Sequence, residues 1–251
     1  MIVLKTASEL ATLDQANRLV HGALHRVAAA VKPGVSTWDL DALAEEYIRS
    51  GGGRPAFKGY RGYPATLCTS VNEVIVHGIP SKALHLRAGD VLSIDCGAVL
   101  DGFVGDAAVT VSVGVVAPEA DALLRVTREC LEHAIEVMRP GRRLTDVGHS
   151  VQSHAEAHGY SVVRDFCGHG IGRAMHEEPS VPNYGQPGRG PELRPGLVLA
   201  IEPMINLGKA GVVIDPDGWT ARTEDGKLSA HFEHSVAVTE DGPWVLGVDG
   251  R

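Results

Sequence analysis

The feature that most constrains the fold of this sequence is an internal repeat. Pro33-Gly34 recurs as Pro140-Gly141, and residues 86–95 recur as 193–202, in both cases 107 positions further along the 251-residue chain. A period of this length is too long for a solenoid. It predicts two similar halves, about 1–115 and 116–251, within a single domain spanning 1–251. The expected fold class is α+β, with the halves related by an approximate two-fold axis and helices covering a central antiparallel sheet.

Each half is predicted to begin with two helices. Apolar residues at helical spacing run from the capping box Thr6-x-x-Glu9 to about residue 31, and a second stretch runs from Ser36 to about residue 50. The same pattern returns over 120–138 and 145–158, and each stretch stops at proline or glycine. The two halves therefore share their helical pattern as well as the repeated segments.

Four carboxylates occupy matching places in the two halves. Asp95 and Glu202 end the repeated segments, while Asp106 and Glu233 open a second predicted strand in each half. One such acid alone is usually a turn or capping residue. Because side chains alternate along a strand, all four are expected to project inward from faces of small residues. Carboxylates packed together lose hydration and repel one another, so the sequence predicts a pair of divalent cations in a hydrolytic centre.

Histidines extend this predicted centre. His169 lies in the glycine-rich stretch 168–172, which would be interpreted as an ordinary turn without the carboxylates. His77 and His176 are further candidates, and the sequence after His176 does not complete H-E-x-x-H, which excludes a zincin. Histidines within the helical stretches are expected at the surface or in the core rather than as ligands: His21, His25, His133, His154 and His158.

Composition narrows the function classes. The chain is 44% apolar without an apolar run near the roughly 18 residues of a membrane span, so no membrane association is expected. The N-terminus lacks a basic leader and a sufficient apolar region, which predicts a cytoplasmic protein. A net charge of -8 without a Lys/Arg cluster argues against nucleic acid as a partner. Dispersed cysteines are expected to be reduced thiols: Cys68, Cys96, Cys130 and Cys167.

Several longer motifs are shared with a known family. They are residues 72–80, Asp95 with Asp106 eleven positions on, 168–172 with 175–179, 201–204 and 229–234. Together they resemble the type I methionine aminopeptidases, metallopeptidases of the pita-bread fold, and the resemblance covers the chain nearly end to end. It implies two divalent ions, Co, Mn, Fe or Zn, with Asp106 as a bridging ligand. The implied metal ligands are Asp95, Asp106, His169, Glu202 and Glu233.

The resemblance also implies roles beyond metal binding. Glu202 would act as general base, and His77 and His176 would support catalysis and orient the substrate. Phe57 stands where the family commonly has a small residue, and Met175 where it commonly has Phe. The implied substrate pocket consists of Phe57, Tyr60, Tyr63, Cys68, Met175 and Trp219, together with the two histidines. One monovalent cation would be held at Asn72, Val74 and Ser229.

The implied activity is that of a methionyl aminopeptidase, which removes the initiator methionine from nascent polypeptide N-termini and favours small second residues. A monomer is expected, and transient association with the ribosome stays open. Prolidase and aminopeptidase P resemble chains with an additional N-terminal domain, for which a first helix near residue 8 leaves no room. The type II enzymes carry an insertion between the last two ligands, which here lie only 31 positions apart. A pita-bread binding protein without catalysis should have lost ligands, and all five are present.

Overall fold

The computed structural model describes residues 1–248. Within them lie four α-helices in two pairs, α1 (Ala7–Ala30) with α2 (Thr37–Ser50) and α3 (Pro118–Val137) with α4 (Leu144–Ala157). The predicted capping box is confirmed, because Thr6 Oγ1 accepts a hydrogen bond from the Glu9 amide at 3.3 Å and Glu9 Oε2 accepts one from the Thr6 amide at 3.0 Å. All four predicted helices are confirmed, with bounds shifted by at most two residues.

Short strands make up the rest of the regular structure. In chain order they are β1 (Arg54–Pro55), β2 (Leu67–Val71), β3 (Val74–Val76), β4 (Val91–Leu100), β5 (Phe103–Ser112), β6 (Ser161–Val162), β7 (Gly168–Gly170), β8 (Glu177–Val181), β9 (Val198–Ile201), β10 (Met204–Asn206), β11 (Val212–Ile214), β12 (Ala221–Thr223), β13 (Ser229–His231), β14 (Glu233–Thr239) and β15 (Gly242–Val245). A single 3₁₀ turn, Tyr60–Gly62, precedes β2.

A nine-stranded antiparallel sheet runs through both halves. Its order is β1-β4-β5-β14-β9-β7-β8, with β2 also paired to β4 and β15 also paired to β14. β4 and β5 form a long hairpin, whereas β14 pairs with β5 through its first two residues, Glu233 and His234. Two three-stranded sheets, β13-β10-β6 and β11-β12-β3, flank the main sheet. The expected α+β class with a central antiparallel sheet is confirmed.

The repeat predicted from the sequence recurs in the element boundaries. α2 and α4 begin at Thr37 and Leu144, which are 107 positions apart. β4 and β9 begin at Val91 and Val198, with the same displacement. Isolated bridges at the start of α2 and α4 repeat at that displacement too. The two halves are thus built from the same local structure.

Each helix pair covers the sheet on one face. One core cluster joins α1 and α2 to Leu92 and Ile94 of β4, and another joins α3 and α4 to Leu199 and Ile201 of β9. Burying each of these side chains stabilises the fold by about 2 kcal/mol. Because side chains alternate, Asp95 after Ile94 projects to the face away from the helices. No described helix has an apolar stretch long enough to cross a bilayer, and all four cysteines are free thiols.

Candidate metal centre and substrate cavity

Strand register brings three of the predicted ligands to one face of the sheet. Asp95 on β4 pairs with Ala108, and Asp106 on β5 pairs with Gly97. Glu233 on β14 also pairs with Ala108 from the other side. Residues directly opposite each other on paired strands project to the same face, so the three acids face one another across small neighbours, as strand alternation predicts.

Glu202 and His169 complete the cluster from the second half. His169 on β7 pairs with Ala200, two residues before Glu202, so both side chains share that face. His169 Nε2 lies 3.5 Å from Glu202 Oε1 and 3.8 Å from Asp106 Oδ2. Its Nδ1 donates to the carbonyl oxygen of Gly170 at 3.0 Å, which leaves a lone pair on Nε2. The structure therefore brings all five predicted ligands together.

The glycines beside His169 are required by close backbone packing. A Cβ atom at Gly168 would collide with the carbonyl oxygen of Ala200, and one at Gly170 would collide with that of Glu178. Only glycine allows β7 to lie this near its neighbours. The glycine-rich stretch is thus a strand that carries His169 into the cluster, rather than an exposed turn.

Burial dominates the electrostatics of this cluster. Asp106 and Glu233 are 3% and 2% exposed. Burial raises the pKa of Asp95 to about 7, and burial together with the neighbouring carboxylates raises the pKa of Asp106, Glu202 and Glu233 well above the usual range. Burial lowers the pKa of His169 to about 4. The protein alone therefore disfavours the ionised carboxylates, and cations would offset this cost.

Several polar atoms of the cluster have no hydrogen-bond partner in the structure. They are Asp95 Oδ1, Asp106 Oδ1, Glu233 Oε1 and His231 Nε2, all shielded from solvent. Buried polar atoms are normally paired, so this set of unpaired atoms fits the binding of cations. Potential ligand atoms of Asp106, His169 and Glu233 lie within 4.8 Å of one another. Carboxylate oxygens with one imidazole suit hard or borderline divalent ions.

His231 is a member of the cluster that the sequence interpretation did not single out. It is 1% exposed, and its Nε2 lies 3.7 Å from Glu202 Oε2 and 4.0 Å from Glu233 Oε2. Burial lowers its pKa to about 3, so it is a neutral imidazole. Together with Glu202 and Glu233 it forms a second group able to hold a metal ion. His231 lies two residues before Glu233, inside a motif shared with the family, and this position was the sequence signal that could have identified it.

A cavity of about 300 Å³ opens beside the carboxylates, a size typical of small ligand sites. All eight residues predicted for substrate binding line it: Phe57, Tyr60, Tyr63, Cys68, His77, Met175, His176 and Trp219. Arg61 and Phe166 also line it and were not predicted. The rings of Tyr63 and Trp219 meet edge to face, with centroids 5.1 Å apart. The cavity lining thus combines aromatic side chains with the carboxylates.

Phe57 and Met175, the two departures from the family pattern, contact the same point of the cavity wall. A Cβ atom placed on Gly97 would lie 2.6 Å from Phe57 Cε1 and 3.1 Å from Met175 Cε. Both side chains therefore pack over the bare backbone of β4 at Gly97. The absence of a side chain at Gly97 leaves room for both Phe57 and the flexible thioether of Met175.

The two histidines predicted to assist catalysis border the cavity. Nδ1 of His176 lies 2.8 Å from Tyr60 Oη, and its ring centroid lies 4.3 Å from that of His169. His77 has a φ of 60°, a left-handed conformation that is uncommon for a residue with a side chain. Its ring packs edge to face on Phe166 with centroids 5.2 Å apart. Burial lowers the pKa of His77 to about 4, so it is neutral.

The residues predicted to hold a monovalent cation lie close together, outside the cavity lining. Asn72 also has a left-handed φ of 55°, and its carbonyl oxygen accepts a hydrogen bond from the Ser229 amide at 3.0 Å. Val74 follows on β3, which packs against β13 where Ser229 lies. The arrangement offers backbone carbonyls and a hydroxyl oxygen.

Three comparisons with known proteins extend these observations. A model of metallopeptidase family M24 matches residues 11–240. A methionine aminopeptidase from Clostridium acetobutylicum is 50% identical over 246 residues, covering 98% of each chain. The crystal structure of a methionine aminopeptidase from Thermotoga maritima is 47% identical with a TM-score of 0.98, over 99% of this chain and 100% of that one. A prolidase from Pyrococcus furiosus, 21% identical, shares the fold at a TM-score of 0.80, over 99% of this chain and 66% of that one.

The fold and the buried cluster define a metal-dependent peptidase of the pita-bread class. The likeness to the aminopeptidase and prolidase structures confirms the fold that the resemblance implied. The family model spans most of the sequence and the relatives span nearly all of it, so the chain belongs to metallopeptidase family M24, among the methionine aminopeptidases. The family implies the use of divalent metal, and the cluster supplies side chains that fit it.

Proposed function

We propose that this chain removes the N-terminal methionine from nascent proteins by metal-assisted hydrolysis of the first peptide bond. The observation that carries the proposal is a cavity lined both by apolar aromatic side chains and by the carboxylate cluster. The aromatic side chains suit an apolar first side chain. The ions that the carboxylates would hold offer a ligand position to the free α-amine of the substrate, which would favour the first peptide bond over internal bonds.

We propose Asp95, Asp106, His169, Glu202 and Glu233 as the residues that would hold two divalent ions. The unpaired buried oxygens of Asp95, Asp106 and Glu233 support this assignment. Mn²⁺, Fe²⁺, Co²⁺ or Zn²⁺ would suit a set of carboxylates and one imidazole without thiolates. His231 Nε2 is unpaired in the same region and would orient Glu202 and Glu233.

When bound, two such ions polarise a carbonyl group and lower the pKa of water. Among the chain's own residues, Glu202 takes the proton of the attacking water as general base. Tyr60 Oη holds Nδ1 of His176 at 2.8 Å, which orients the ring and leaves Nε2 for the peptide. His176 and His77 then stabilise the charge that develops on the scissile carbonyl and keep the peptide in place.

Specificity would come from two filters. Tyr60, Tyr63, Cys68, Met175 and Trp219, with Phe57, form an apolar cup that accepts the methionine thioether through dispersion and sulfur–aromatic contacts. A charged or β-branched first residue would be excluded. The limited space around the scissile bond favours small second residues such as alanine, glycine or serine.

The remaining assignments rest on the same family pattern. We propose a monovalent cation at Asn72, Val74 and Ser229, nascent polypeptide N-termini as the substrates, and the cytoplasm as the site of action. Residues 1–251 are proposed as one catalytic domain, since the main sheet continues from β5 into β14 across the two halves.

One assay tests the proposal. Metal-stripped protein is reloaded with Mn²⁺, Fe²⁺, Co²⁺ or Zn²⁺ and given peptides that vary the first and second residues independently. Met-Ala-x should be cleaved after reloading, norleucine in place of methionine should be cleaved measurably, and lysine or glutamate should not be cleaved. Full activity after exhaustive chelation would exclude the two-metal centre. A preference for proline at the second position, with indifference to the first, would reassign the chain to the aminopeptidase P activity.

A further inference from the structure

A second group of metal-binding side chains lies on the α3–α4 pair. Glu129 on α3, His154 on α4 and His158 at the C-terminal cap of α4 each place one ligand atom within 4.8 Å of the others. We call these three residues the helix-pair cluster. Glu129 Oε2 lies 2.9 Å from His154 Nε2. Among the described residues that line the catalytic cavity, none belongs to this cluster.

Helical spacing explains why these side chains meet. His154 and His158 are four residues apart on α4, so they lie on one face of that helix. On α3, Glu129 and His133 have the same spacing and face α4. The His133 and His154 rings have centroids 4.6 Å apart, as have those of His154 and His158. Side chains projecting from two packed helices are a common way to build a metal site in helical proteins.

Two further hydrogen bonds orient members of the cluster for binding. His158 Nδ1 donates to the carbonyl oxygen of His154 at 2.9 Å, which leaves a lone pair on Nε2. Arg125 Nη1 donates to Glu129 Oε1 at 2.7 Å, which leaves Oε2 facing the cluster. Metal-binding histidines and carboxylates are typically held by such outer partners.

We propose that the helix-pair cluster binds one borderline divalent ion of the Zn²⁺ type and thereby ties α4 to α3. Two imidazoles and one carboxylate form a three-residue ligand set that zinc commonly uses, with the fourth position left for water or for His133. Side-chain exposures of 20% for His154 and 30% for Glu129 leave the cluster open to ions from solvent. Two of the helical histidines, His154 and His158, thus act as ligands, where the sequence pattern suggested surface or core residues.

Binding should stabilise the helix pair. At a Zn²⁺ concentration about 100-fold above the dissociation constant, the melting temperature should rise by about 5 °C or more. This rise in melting temperature does not depend on methionine cleavage. It would therefore be observed even if the proposed activity were wrong.

The test counts Zn²⁺ ions on the metal-stripped full chain by equilibrium dialysis, with melting temperatures measured in parallel. His158→Gln removes one ligand, and His149→Gln removes an exposed histidine of α4 outside the cluster as the matched control. Wild type and His149→Gln should bind one Zn²⁺ more than His158→Gln, in which affinity at the helix-pair cluster should fall at least about 100-fold. His158→Gln should keep the wild-type circular dichroism spectrum and peptidase activity.

A second variant separates the two metal sites. Glu233→Gln, which weakens the catalytic centre, should retain the Zn²⁺ that His158→Gln loses. The proposal is overturned if His158→Gln binds as many Zn²⁺ ions as wild type with unchanged affinity. It is equally overturned if the extra ion is lost in Glu233→Gln and kept in His158→Gln, because that ion would then belong to the catalytic centre.

Discussion

Removing the metal should make this protein less stable as the pH rises above 7. Without cations, burial raises the pKa of Asp95 to about 7, and burial with neighbouring charge raises the pKa of Asp106, Glu202 and Glu233 well above the usual range. In the unfolded chain these carboxyl groups are ionised above about pH 5. The folded state therefore binds more protons than the unfolded state, and its stability must fall as protons are removed.

The pH window follows from the groups that oppose this trend. Burial lowers the pKa of His77 and His169 to about 4 and that of His231 to about 3. Below about pH 6.5 these histidines are protonated in the unfolded chain but stay neutral in the folded protein. The free energy of unfolding therefore rises with pH in that range. Above pH 7 the histidines are largely neutral in both states, so the carboxyl groups dominate the slope, and burial, which raises the pKa of the Cys68 and Cys96 thiols, adds a smaller contribution of the same sign.

The expected magnitude is about 1.4 kcal/mol per pH unit for each carboxyl group that stays protonated in the folded state. Asp95 loses most of its proton by pH 8. If one of Asp106, Glu202 and Glu233 retains its proton, the metal-free protein should lose at least about 1.4 kcal/mol between pH 7 and 8. The metal-loaded protein should show no such loss, since its carboxylates are ionised and neutralised by cations.

Urea unfolding followed by tryptophan fluorescence at pH 7 and pH 8, with and without metal, measures both slopes. Glu233→Gln should reduce the slope of the metal-free protein and raise its stability at pH 8, whereas Glu240→Gln, at an exposed position, should change neither. A metal-free protein that is as stable at pH 8 as at pH 7, or more stable, would refute the reasoning.

Three further predictions concern catalysis. His77→Ala and His176→Ala should keep bound metal, measured by elemental analysis, yet lose about 10²–10⁴ in turnover; a parallel loss of metal from His176→Ala would make it a ligand. Tyr60→Phe removes the 2.8 Å contact with His176, so kcat should fall about fivefold with little change in KM. An unchanged kcat would contradict the proposal that Tyr60 orients His176. Gly97→Ala adds a Cβ atom 2.6 Å from Phe57 Cε1, so kcat/KM for methionine peptides should fall about 10–200-fold. A wild-type kcat/KM would contradict this prediction, because it would mean that Phe57 moves aside without narrowing the cavity.

The carboxylates could be located from the sequence because their positions depend on simple regularities. Asp95 and Glu202 occur at the same place in a repeated segment, and strand alternation determines the face of each side chain. The helices of both halves were predictable for a similar reason, since capping residues and glycines or prolines bound them. These features depend on local structure, and the repeat supplies them twice.

Other members of the site depend on contacts that no local pattern specifies. His231 ends β13 and Glu233 begins β14, and the two strands pair with different partners, so alternation cannot be carried across Phe232. Arg61 and Phe166 lie outside the strands, and Arg61 has a left-handed φ of 49°. The pocket residues were anticipated through family resemblance alone, because they come from distant segments that meet only in the folded chain.

The short junction between β5 and β14 has a mechanical consequence. Two residue pairs join these strands, against ten between β4 and β5, and a hydroxyl contact from Ser235 to the Asp106 carbonyl at 2.9 Å reinforces them. This seam is one of the shortest junctions in the main sheet, and it is the one that joins the two halves. Asp106 lies on one side of this seam and Glu233 on the other. An ion held by both residues would link the two strands and stabilise the junction. Stripping the metal should therefore speed amide hydrogen exchange first along this line, before either helix pair loosens.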